Sequence, residues 1–370
     1  MKKFLGLLIC VTMIMGCASA PEVENLKVES ETISSDVELY DAPVEEEVVE
    51  EESNAPEGTY FSELTGVPIP LEIKNQRPIA VMVDNEILAY PHYGLSEADV
   101  VYELVNSLHN GRISRLMVLM KDWGSITQMG SIRSTRDTNI DLQAEWNSIL
   151  CHDGASSISL PRFNKGYASE HISGTFSRVN NGKSREFTEF ILPGDLEANI
   201  KNLNISRDYN DYKPNVDSHF QFAEYEGEEV LDSDEYQAAT SLNLSAAYPH
   251  NSTMLMYNAE TKSYDYYNYG SISLDGEDDK VQSYKNVILQ NTIMVNTDGD
   301  GGHVAYQIID SGRSGYYISN GHLQKITWEK KDEMDITRYY DEEGNELIIN
   351  RGNTYIGLIP SESWDGLVIE

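Results

Sequence analysis

The chain has 370 residues, 40% of them hydrophobic, enough to bury the core of one or two domains. Its formal net charge of −34 excludes a surface that binds nucleic acid or anionic lipid as a whole. Only three cysteines are present (Cys10, Cys17 and Cys151), which excludes a disulfide framework and a cysteine-built zinc site.

Lys2 and Lys3 precede an apolar run over 4–15, and Ile14-Met15-Gly16 leads into Cys17. The order of charge, apolar run and small residues reads as a signal peptide over 1–16. The run is shorter than the about 20 residues a membrane-spanning helix needs. Small residues around a cysteine at the cleavage point look like a bacterial lipobox, so Cys17 is expected to be lipidated and to become the N-terminus. Two acyl chains there would anchor stably where one would be marginal. The expected location is extracytoplasmic, tethered by lipid to the bacterial cell membrane, which removes cytosolic nucleotide chemistry from the candidates. Residues 17–59 follow as an acidic tether. Between Pro21 and Pro56 there are 13 acidic residues against one basic residue, Lys27. Such a segment cannot bury enough apolar surface to offset its ordering entropy, and disorder is predicted.

Beyond the tether the apolar pattern becomes regular. A buried strand is predicted over 79–83, ending at Asp84-Asn85, with further strands over 98–105 and 113–120. Residues 124–137 read as a loop, followed by a helix over 138–146 with Asp137 as N-cap. A strand over 149–151 empties into His152-Asp153-Gly154, and a second helix is predicted over 196–203. Residues 206–240 are polar and turn-rich, a connection. From 241 the pattern is all-β, with hairpins around Ala259-Glu260-Thr261-Lys262, Asp298-Gly299-Asp300-Gly301 and Asn320-Gly321, the last the strongest short turn signal. The expected class is α+β: a mixed α/β domain over 60–205, then a mainly antiparallel β domain over 241–370.

The sharpest chemical constellation is Gly130-Ser131-Ile132-Arg133-Ser134-Thr135-Arg136-Asp137, directly before a predicted helix. Arginines and hydroxyls at a helix N-terminus suit an anion, because free N–H groups and the helix dipole favour negative charge. Arg115 lies upstream, and Arg133, Ser134, Arg136 and Arg115, with Asp84 and Asn85 at a strand end, form the expected ligand-binding set. The competing reading is that these arginines pair internally with Asp84, Asp99 or Glu103. Glu103 and His152, also near strand ends, are the acid–base candidates if the protein is an enzyme. Asp298 and Asp300 match the first half of a calcium loop, but Gln307 stands at its twelfth position, and a hairpin turn is the expected structure. Tyr264, Tyr266, Tyr267 and Tyr269 alternate as ordinary cross-strand packing does. No cofactor is called for.

In order, Arg77-Pro78-Ile79-Ala80-Val81-Met82-Val83-Asp84-Asn85, the run from Gly94 to Glu103, Ser114-Arg115 and the arginine loop resemble the YerB-like bacterial lipoproteins. Ile326-Thr327-Trp328-Glu329-Lys330 and Asn350-Arg351-Gly352-Asn353-Thr354-Tyr355-Ile356 look like the C-terminal domain of the same family, a domain of unknown function numbered 3048. The resemblance implies a two-domain architecture and an envelope location, and supplies no reaction. The family usually has proline where Ser131 stands, and a Pro-His-Asn stretch where Glu186-Phe187-Thr188 follows Arg185 here. The leading expectation is a non-enzymatic lipoprotein whose arginine loop binds an anionic wall or lipid-linked ligand, or a partner's acidic segment. An envelope hydrolase or transferase acting on a phosphorylated or acidic glycan, and a structural assembly protein, are the alternatives.

Overall fold

The computed structural model describes residues 54–370, except 215, 217 and 218. Cys17, the expected signal peptide and the expected tether up to residue 53 therefore lie outside the described residues. None of the described helices is long and apolar enough to cross a membrane.

The architecture is mostly β-sheet with few helices, so the α+β expectation leans towards β. Among the described residues the α-helices are Asp137–Glu145 and Asp195–Leu203, close to the spans expected. An 11-stranded sheet forms the centre. From one edge its order is Gln237–Ala238, His322–Lys330, Asp310–Ser319, Asn286–Thr292, Thr354–Pro360, Val100–Val105, Ser114–Met120, Ile79–Asp84, Ile149–His152 and His171–Ser173; Arg338–Tyr340 also pairs with His322–Lys330. The predicted segments 60–205 and 241–370 thus share one sheet. They join where Thr354–Pro360 lies parallel to both Asn286–Thr292 and Val100–Val105, a departure from the antiparallel pattern expected of the later segment. Parallel strands need both faces covered, and every residue of Thr354–Pro360 is buried.

A second sheet, built on Ser241–Asn243, Met254–Asn258 and Ser263–Asn268, includes Tyr264 and Tyr266, both fully buried. The Tyr266 hydroxyl donates to Glu103 Oε2 (3.0 Å), as does that of Tyr355 (2.8 Å). Glu103 Oε1 accepts from Ser114 Oγ (2.6 Å), Thr253 Oγ1 (2.9 Å) and Asn85 Nδ2 (3.2 Å). Burial raises the Glu103 carboxyl above its usual range while these donors oppose the rise. A second buried carboxylate, Glu145 at the end of the first helix, takes Lys330 Nζ (3.2 Å) and the Thr337 hydroxyl (2.7 Å) from the later segment. Cys151 is a buried free thiol.

Replacing Glu103 by alanine removes the acceptor that five buried donors share and strands the hydroxyls of Thr253, Tyr266 and Tyr355, and we expect a loss of about 3–5 kcal/mol in urea unfolding. Glu103→Gln, which keeps one acceptor oxygen, should lose roughly half as much. A loss below about 1 kcal/mol for the alanine variant would contradict the role given to this carboxylate.

Candidate functional site

The arginine loop is held along the end of Ile79–Asp84. Arg133 N–H donates to Met82 O (2.8 Å), Asp84 N–H to Ser131 O (3.0 Å) and Ile132 N–H to Glu189 O (2.8 Å). Antiparallel pairing sets Arg115 opposite Asp84. On the other side, Asp153 N–H donates to Arg133 O (3.0 Å), Thr135 N–H to Gly154 O (3.1 Å) and Ser134 Oγ to Asp153 O (2.7 Å). The loop is therefore pinned by the carboxyl ends of two neighbouring parallel strands, where open sheets commonly place their sites.

The three guanidinium groups are not equivalent. Arg133 pairs with Asp84 (2.6 Å) and with Glu186 (3.0 Å), and stands over the Phe187 ring at 5.7 Å. Arg115 is buried and donates to Ser134 O. Burial, with Arg136 and Arg133 nearby, pulls its pKa down to about 9, although Asp84 opposes the fall. Arg136 donates to the carbonyl of Thr135 (2.9 Å), its Nε is buried without a partner, and among the described residues it has no ion pair. Burial and then Arg133 lower its pKa, with Asp137 and Asp298 opposing. Arg136, rather than Asp137, is the N-cap of the helix, because its backbone is still extended (φ −133°, ψ 172°) while Asp137 is already helical, and the Asn139 carboxamide oxygen accepts its backbone N–H (3.1 Å).

Two expected residues are drawn away from this cluster. Asn85 is fully buried: its amide nitrogen serves Glu103, Ser114 and Tyr266, and its oxygen accepts from Tyr90 and Asn268. Glu103 is also sealed, and among the described residues its hydrogen bonds run to Asn85, Ser114, Thr253, Tyr266 and Tyr355, while Arg133 pairs with Asp84 and Glu186 and His152 bonds Gly154 and His171. The open cleft shared by Glu103, His152 and Arg133 that acid–base chemistry would need is not formed by these contacts.

His152 lies beside the loop with both ring nitrogens engaged. Nδ1 meets Gly154 O (2.8 Å) and Nε2 meets His171 Nδ1 (2.9 Å). A carbonyl only accepts, so His152 carries its proton on Nδ1 and His171 donates to the bare Nε2. Phe163 stacks on both rings. Asp298 uses Oδ1 for the N–H groups of Asp300 and Gly301, and Oδ2 for His303, which makes the 298–301 segment a closed turn.

Sequence reasoning missed Glu186 and Phe187, which cover Arg133, and Glu189, a buried carboxylate near Asp153 and Arg178. Burial and Asp153 raise the pKa of Glu189 to about 7. The signal for the first two was the departure from the Pro-His-Asn stretch; Glu189 left none.

Two models of a family described as "Protein of unknown function (DUF3048)" match the chain, the N-terminal-domain model over residues 64–206 and the C-terminal-domain model over 244–356. A protein of Bacillus subtilis (strain 168) named "Putative lipoprotein YerB" is 25% identical over 304 residues, 80% of this chain and 85% of that protein. The crystal structure of the YerB protein from Bacillus subtilis superposes with a TM-score of 0.69 at 19% identity, covering 84% of this chain and 99% of the other, and so shares its fold.

Burial lowers the His152 pKa to about 4 against an unfolded value of about 6.5. The stability this neutral ring contributes is therefore full above pH 6.5 and is lost as pH falls through 4. Thermal melts should show Tm falling across that window, and less steeply in His152→Asn; parallel profiles for the two proteins would contradict the assignment.

Proposed function

The chain belongs to the DUF3048 family, and from that premise we propose that it is an extracytoplasmic lipoprotein, anchored through Cys17, that binds an anionic envelope group at the arginine loop. The observation that carries the reading is Arg136. It is a largely buried guanidinium, without a carboxylate in ion-pair range among the described residues, close enough to Arg133 and Arg115 to be disfavoured by them. Like charges held together cost free energy that an anion relieves, and the first N–H groups of Asp137–Glu145 favour the same occupant. Asp84 and Glu186 already compensate Arg133, so Arg136 and not Arg133 is the principal contact, with Arg115 and Ser134 shaping the loop from beneath. A phosphate, phosphodiester or carboxylate on a wall polymer or lipid-linked precursor has the required chemistry. The lipoprotein name of the similar Bacillus protein and the lipobox-like residues around Cys17 support the location. Binding is favoured over catalysis because Glu103 is sealed and both His152 nitrogens are committed.

Inorganic phosphate at about tenfold above its dissociation constant should stabilise the protein by about 1.4 kcal/mol. Arg136→Gln should abolish that gain without lowering stability in phosphate-free buffer, since it removes a repelled charge. Absence of a phosphate effect on the unsubstituted protein, or an undiminished effect in Arg136→Gln, would overturn the reading.

A further inference from the structure

The outer edge of the large sheet is covered unevenly. On its inner side His322–Lys330 pairs with Asp310–Ser319 from His322 to Lys330, with one irregularity between Asp310 and Arg313. On its outer side Gln237–Ala238 covers Leu323 and His322, and Arg338–Tyr340 covers Glu329, Trp328 and Thr327. On that outer side Gln324, Lys325 and Ile326 have no strand opposite them among the described residues.

The backbone direction in this gap follows from both sides. Asn320 and Gly321 have φ of 51° and 80°, a two-residue turn that makes Ser319 and His322 a mutually bonded pair. Alternation then turns Gln324 and Ile326 inward and leaves Leu323 and Lys325 facing out. Independently, Ala239 N–H donates to Gly321 O (2.7 Å), so Gln237 and Leu323 bond, and the next outward residue is again Lys325. Its N–H and C=O both point into the gap. The flanking chain turns away: Tyr236 N–H bonds Ser233 O (3.2 Å) and Asp341 N–H bonds Asn345 O (2.9 Å).

The space so left is a cleft of about 540 Å³ rimmed by Glu235, Asp341, Glu342 and Glu343. Past Leu323 and Lys325 it continues into a hollow of about 240 Å³ that includes Tyr316 and Trp364, stacked with ring centroids 4.9 Å apart. We propose that this gap receives an extended segment of a partner protein bearing lysine or arginine. The segment would complete the edge by pairing with the Lys325 main chain, set a basic side chain among the four carboxylates, and lay an alternate apolar side chain on Tyr316 and Trp364. The chain's own acidic segment, with 13 acidic residues against Lys27, and a second copy at −34 both carry the wrong charge for the rim. Lys325 itself disfavours pairing of two identical edges.

The test uses two fluorescent peptides of about six residues, one alternating valine with lysine and the other valine with glutamate, read by anisotropy. The lysine peptide should bind below about 1 mM and the glutamate peptide should not. Lys325→Pro, which removes the outward N–H at an edge position that tolerates proline, should weaken binding about tenfold or more. So should the exposed charge reversal Glu342→Lys with Glu343→Lys, which keeps the test valid if the proline variant fails to fold. Equal binding of both peptides, no binding of either at 1 mM, or binding of the lysine peptide that survives the charge reversal as general attraction to an acidic surface would each overturn the proposal.

Discussion

Glu103 carries a carboxylate inside the core, and the surrounding structure is arranged to keep it there. Its five donors come from Asn85, Ser114, Thr253, Tyr266 and Tyr355, side chains scattered across some 270 positions of the chain (85 to 355). A buried carboxylate without such partners would be protonated or would prevent folding. Each donor therefore depends on the others being in place. The Tyr248 hydroxyl adds to the same junction by donating to the carbonyls of Glu103 and Leu358. Glu145 repeats the arrangement nearer the sheet edge, binding Lys330 and Thr337 to the first helix.

This joining has a consequence for the arginine loop. The strand that supplies Asp84 and the strand that supplies Arg115 are fixed in register with Val100–Val105, which in turn lies against Thr354–Pro360. The spacing of Arg115, Arg133 and Arg136 is thus set by the whole sheet and not by the loop alone. A preorganised cluster of like charges of this kind costs stability that only an extended core can supply, and a ligand of opposite sign recovers it. The positive cluster lies in a body with a net charge of −24 (48 acidic residues after removing the 13 in the segment between Pro21 and Pro56, 24 basic after removing Lys2, Lys3 and Lys27), so the proposed anion binding requires local geometry to work against the general field.

Much of the local structure was legible in the residues. The apolar run after Arg77-Pro78 became Ile79–Asp84, and Asn320-Gly321 turned the hairpin it announced. The pairing of Thr354–Pro360 between two strands far away in sequence was not legible, because a strand buried on both faces has no alternation that identifies its neighbours. Glu103 illustrates the limit at residue level. A lone acidic residue at the end of an apolar strand reads as a site, and only the convergence of Tyr266 from the second sheet and Tyr355 from the neighbouring strand shows it to be internal. For the arginines, position before a helix suggested a shared site, whereas the division between a compensated Arg133 and an uncompensated Arg136 depended on Glu186, brought over by a separate loop.

The most direct test of a single core built across Glu103 is native-state hydrogen exchange in increasing urea. Amides of Val81 and Val101 from the earlier segment, and of Ile288 and Ile356 from the later one, should converge on one unfolding isotherm with a common free energy and slope. Two separate isotherms, one for each segment, would contradict it.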